Sequence, residues 1–174
     1  MITALFKKVF TPSSSQQSAY LAYCALVEQS RKPFFYNEGG VEDSIDGRFD
    51  VIVLHMFLLT QRLQKESPEF LRNVWEAFFY DMDRNLREMG VSDTGVGKRI
   101  KKMVQAFYGR MDVYEKSVSN TEEFKESLVR NLYRDKEIRA DKIDKIVEYV
   151  KRNIEYFQEQ SITDIESGKI LFRD

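Results

Sequence analysis

The stretch FDVIVLHMFLL, Phe49 to Leu59, constrains this chain more than any other. It has no alternation that would make a half-buried strand, and as a helix it is apolar on nearly every side through its first two turns. A helix of that kind must be surrounded by other elements. It is also about half the ~20 apolar residues needed to cross a bilayer. The spacing therefore predicts a buried central helix from Arg48 to about Lys65, around which the rest of the chain must wrap.

The remaining periodicity supplies the wrapping. Serines at 13 to 15 cap a helix through Tyr20, Leu21, Cys24 and Val27 that Pro33 closes, and Ser67-Pro68 starts another through Leu71, Val74, Trp75, Phe78, Phe79, Met82, Leu86 and Met89. Gly90 stops that helix. Ser92, Asp93 or Thr94 then caps the next, with Val96, Ile100, Met103, Val104, Phe107, Met111 and Tyr114 on one face. The short connection predicts an antiparallel or steeply crossed pair. Asn120 opens a helix through Phe124, Leu128 and Leu132, and Asp141 one whose seam runs from Ile143 to Phe157. Residues 33 to 47, with three glycines and no period, read as the longest loop, and 161 to 174 as a helical turn and loop. No segment supports a strand of consequence, so the fold class is all-α, a single-domain bundle of six to seven helices. The domain is assigned to residues 13–174, preceded by an amphipathic segment, residues 1–12, with Ile2, Leu5, Phe6, Val9 and Phe10 on one side and Lys7 and Lys8 beside them.

Charge and rare residues exclude several functions. In 174 residues, 27 Lys and Arg stand against 28 Asp and Glu, a net charge of -1, so no global field draws the chain to DNA or an anionic membrane. One Cys and one His leave no disulfide and no His- or Cys-rich metal site. His55, amid Val53, Leu54, Met56 and Phe57, reads as a core imidazole, and Cys24 as a small core hydrophobe. The start MITALFKKVF has neither the apolar core of a signal peptide nor the composition of an organellar leader, which points to the cytoplasm.

Two motif-like fragments lie between Tyr80 and Met103. Asp81, Asp83 and Asn85 match the opening of a calcium loop, but Leu86 stands where the turn needs Gly and Ser92 where the bidentate Glu belongs. Gly97-Lys98 resembles the end of a phosphate loop, but Ser92 replaces its first Gly and Arg99 its Ser or Thr. What remains is a helix end with Asp83 and Arg87, and Arg84 and Glu88, at i,i+4, followed by a helix start carrying Lys98, Arg99, Lys101 and Lys102. Those four cations read equally as a solvated face or as a contact for RNA phosphate or an acidic protein surface.

Taken together, GRFDVIVLH at 47 to 55 and WEAFFYDMDRNLREMGVSDTGVGKRIKKMVQAFYGR at 75 to 110 resemble the ubiquinol-cytochrome c chaperone family of mitochondria and alphaproteobacteria. With the preceding loop and the Tyr114 region the resemblance covers about half the chain. It implies an all-α domain without enzymatic activity or cofactor that binds newly made cytochrome b before haem loading and assembly of complex III. It further implies, from mitochondrial members, a small partner protein and a position near the ribosomal tunnel exit. On this reading Asp81, Asp83, Arg87, Lys98, Arg99, Lys101, Lys102 and Arg110 are the candidate contacts to client or partner, and a peripheral contact with the inner membrane is compatible with it. The alternative is a ribosome- or RNA-binding module using the basic helix face. A client surface should show as exposed apolar area, expected around Phe34, Phe35, Tyr36, Tyr80 and Tyr108.

Overall fold

The computed structural model describes residues 14–174. The amphipathic segment expected at residues 1–12 lies outside them. The described residues form eight helices in the order α1 (Ser14–Ser30), α2 (Pro33–Asn37), α3 (Ile45–Leu63), α4 (Pro68–Glu88), α5 (Asp93–Ser117), α6 (Thr121–Asn131), α7 (Ala140–Glu159) and α8 (Ile162–Glu166), with no strand among them. No described helix is long and apolar enough to cross a membrane.

Helix α3 takes the central place that its composition demands. Every residue from Val53 to Thr60 is buried, and the helix packs against α1, α4, α5 and α7. It begins at Ile45, three residues before the position expected from periodicity, because the Ser44 side chain accepts a hydrogen bond from the Gly47 amide at 3.1 Å and caps the first turn. Gly47 is required there: a Cβ would stand 2.0 Å from the Glu42 carbonyl oxygen. The stretch expected to be one long loop holds α2, which Pro33 starts by supplying a preset φ at the first helical position. Phe35 on that short helix is fully buried, with its ring edge-on to His55 and Tyr149, so burial of one aromatic residue outweighs the loop-like composition.

Helices α4 and α5 make the expected pair. The rings of Phe78, Phe79 and Trp75 all meet Phe107. Trp75 and Phe107 are about equally far from the intervening turn, so the pair runs antiparallel. Gly90, at φ 79°, ends α4: its amide bonds the Arg87 carbonyl and the Val91 amide bonds the Leu86 carbonyl, which satisfies two of the free carbonyls of the last turn. Helices α1 and α4 lie side by side and parallel, since Asn73 donates to Ser15 and Tyr23 donates to Asp81 at the same sequence offset.

Candidate interaction site

Past the Tyr23–Asp81 bond a groove of about 380 Å³ opens between the ends of α1 and α4. Its apolar lining includes Val27, Phe49, Ile52, Met82, Leu86 and Met103, so α3 and the first half of α5 also contribute. Arg31, Arg48, Tyr36, Glu88 and Met89 line it as well. The Tyr23 hydroxyl donates to Asp81 Oδ2 at 2.7 Å, and Arg84 and Asn85 hold the same carboxylate at 2.5 and 3.2 Å. Burial and the neighbouring Asp81 carboxylate push the Tyr23 hydroxyl well above its ordinary range. Asp81, a candidate contact from sequence, therefore serves first as the bond between two helices.

The two halves of the α4–α5 junction differ in how far their charges are satisfied. On α4, Asp83 pairs with Arg87 at 2.6 Å, Arg84 lies 3.7 Å from Glu88, and Arg87 also reaches Asp93. These are exposed pairs, each contributing about 0.5 kcal/mol or less. On α5, Lys98, Arg99, Lys101 and Lys102 are all exposed, and no ion pair holds them among the described residues. The buried stripe through Val96 and Phe107 lies on the side of the helix away from Lys98, Lys101 and Lys102, with Arg99 at its flank. The same hairpin carries three exposed large side chains, Tyr80, Met89 and Tyr108, at 70%, 51% and 52% exposure. Phe34 and Tyr36 are half-buried and Phe35 wholly so, which removes that region as an open apolar surface.

Arg110 departs from the expected contact set. Its side chain is only 13% exposed and turns inward, with Nη2 2.9 Å from Oδ1 of the fully buried Asp50. Arg134 approaches the other carboxylate oxygen at 2.8 Å and also reaches Asp46 at 2.8 Å. Burial pushes the Asp50 carboxyl up to about 6 against the opposing pull of the two guanidiniums. This cluster ties α3 to α5 and to the α6–α7 connection, where Arg134 itself sits at φ 57°. Sequence reading gave Asp50 no role, although an acid inside an apolar run such as GRFDVIV is a sign of a buried partner.

His55 is a core residue, as its neighbours suggested. It is fully buried, its Nδ1 lies 2.8 Å from the Val51 carbonyl oxygen and 3.0 Å from Ser30 Oγ, and its Nε2 lies 2.9 Å from the Tyr149 hydroxyl. An Nδ1–H donated to Val51 leaves Nε2 to accept from Tyr149, while Gln29 donates to the same hydroxyl. Burial holds the imidazole down at about 4, so it is neutral. The Ser30–His55 contact resembles a nucleophile and base, but with Nδ1 committed as donor the ring offers Ser30 no lone pair. Cys24, expected in the core, is only partly buried. No cluster of His, Cys, Asp and Glu among the described residues could hold a metal ion.

A sequence profile of the ubiquinol-cytochrome c chaperone family matches residues 37–172. The chain belongs to that family. Among solved structures it is similar to the Cbp3 homolog from Brucella abortus, with a TM-score of 0.80 and 29% identity over 92% of this chain and 91% of the other. No curated protein matches it. The family match takes in α3, α4 and α5 entire, and so both sides of the charged junction and three walls of the groove. Membership in the ubiquinol-cytochrome c chaperone family connects the chain to assembly of the ubiquinol-cytochrome c reductase.

Proposed function

We propose that this chain binds newly synthesised cytochrome b, without enzymatic activity, and holds it for incorporation into complex III. Family membership supports the assembly role. The specific support for a contact surface is the set of exposed, unpaired cations Lys98, Arg99, Lys101 and Lys102 on the same hairpin as exposed Tyr80, Met89 and Tyr108. Unpaired cations attract an acidic or phosphate-bearing surface, and half-exposed large side chains gain most by being covered. Asp83 and Arg87 border this surface already neutralised by each other, which lowers their own pull on a partner. A membrane-protein client such as cytochrome b favours a position in the cytoplasm against the inner membrane, with a small partner protein as a further candidate occupant of the same face.

The decisive test is capture of cytochrome b by the tagged chain in its own host. Replacement of Lys98, Lys101 and Lys102 by Glu abolishes capture on this reading and leaves the melting temperature almost unchanged, since all three are exposed. Undiminished capture by the triple variant overturns the assignment of this surface. The same cations also suit a second reading, contact with ribosomal RNA phosphate. That reading requires ribosomal components to be lost steeply as salt rises, whereas capture of cytochrome b, which also covers Tyr80, Met89 and Tyr108, falls less.

A further inference from the structure

We infer that the groove between α1 and α4 is a seat for one apolar helical segment of the client, about two turns long and carrying a carboxylate near one end. The inference rests on cytochrome b capture as proposed above and adds to it the place where apolar sequence is held.

The dimensions point to a helix. From Asp81, at the closed end, to Glu88 the lining of α4 spans about 10.5 Å at 1.5 Å per residue, and Tyr23 to Ser30 spans the same length along α1. That is the distance from the first to the last anchor of an i, i+3, i+4, i+7 face, the pattern by which an amphipathic or apolar helix lies in a groove. The lining suits varied apolar sequence. Met82, Met89 and Met103 come from the end of α4, the turn and α5, and unbranched thioethers adjust to different side chains at little cost.

The charges commit the occupant further. The Arg48 guanidinium is held by Asp43 at 2.6 Å, but Arg31 is exposed and has no ion pair among the described residues. The thirteen residues outside the structure contain no Asp or Glu, so they supply no side-chain carboxylate for it. Arg31, Arg48 and Asp43 gather around Tyr36, and with Asp43 holding Arg48 the charge of Arg31 is left over at this end of the groove. A carboxylate at one end of the seated segment answers that charge.

The test places a photo-crosslinking amino acid at Met103, inside the groove, and in a second protein at Glu148, exposed on α7 and no part of the lining. Each full-length protein is expressed in the host while cytochrome b is being made. The expected result is a cytochrome b adduct from position 103 and none from 148, with the 103 adduct reduced to background by Met89→Arg and weakened by Arg31→Glu. Both substitutions lie at exposed positions, and unchanged thermal melting confirms that the fold persists. If unmodified chain captures cytochrome b but position 103 yields no adduct, or only adducts to lipid or to the chain's own N-terminal peptide, the groove assignment is overturned while the functional proposal stands. If the unmodified chain captures no cytochrome b at all, both fall.

Discussion

Tyr23 and Asp81 are joined by a 2.7 Å hydrogen bond that ties α1 to α4 at the closed end of the groove. Asp81 keeps Arg84 and Asn85 when that donor is removed, so Tyr23→Phe leaves no bare carboxylate. The expected loss of stability is about 1 kcal/mol, measured by urea unfolding. Client capture should fall by more than this small loss explains, because the two groove walls are no longer fastened. A variant with the expected stability and full capture would show that the bond does not shape the site.

Arg110 should prove structural. Arg110→Ala leaves the buried Asp50 carboxylate with Arg134 alone, and removing one partner of a buried pair costs about 3 kcal/mol. Capture per folded molecule should stay unchanged, because the side chain faces inward. The comparison needs denaturant unfolding beside a capture assay normalised to folded protein. A loss of capture with normal stability would return Arg110 to the contact surface.

The pH dependence of stability should show two opposed contributions. His55 is held down at about 4 against an ordinary 6.5, so the unfolded chain binds its proton first, and its contribution is present above 6.5 and lost as pH falls toward 4. Asp50 is pushed up to about 6, so the folded chain binds its proton first, and stability falls as pH rises from 3.8 through 6. His55→Gln should remove the first effect, about 3 kcal/mol of pH-dependence across its window, while Asp50→Asn removes the second. Thermal melting from pH 4 to 7 for the three proteins separates them, and parallel curves would refute both assignments.

Two glycines of the junction should respond in opposite directions. Gly90 sits at φ 79°, so Gly90→Ala forces an L side chain into the left-handed region and costs about 1 kcal/mol. Gly97 lies inside α5 with open space around the position of a Cβ, so Gly97→Ala should stabilise the free protein by about 0.5–1 kcal/mol. If Gly97→Ala also weakens capture, a partner approaches the α5 backbone closely. Equal signs in the two melting experiments would contradict the helix-end geometry.

Much of the fold was legible because it follows from local rules. The apolar run at Phe49 to Leu59, interrupted by Asp50 and His55 alone, could only be a surrounded helix, and the single seams of α4, α5 and α7 each named the face that would be buried. Gly90 marked its turn because only a residue without a Cβ takes that φ freely. The short α2 was not legible, since one buried phenylalanine decided it and five residues carry no period. The contact residues were legible as a charged cluster but not individually. Nothing in the order of Asp81, Arg110 and Lys101 says that the first bonds a tyrosine on another helix, the second a buried aspartate, and the third no charged group among the described residues.

Sequence by itself therefore determined the fold class and the central helix, which depend on spacing along the chain, and carried the family resemblance in the motifs at 47 to 55 and 75 to 110. Tertiary structure alone decided which charges are spent inside the molecule and where apolar surface stays open. The reason is physical. Helical periodicity assigns a side chain to a face, but whether a charge on that face is satisfied depends on a partner brought from elsewhere in the chain. Asp50 and Arg134 meet in this way, and so do Tyr23 and Asp81. The groove beside them exists because α1 and α4, separated in sequence by the whole of α3, lie parallel at its sides.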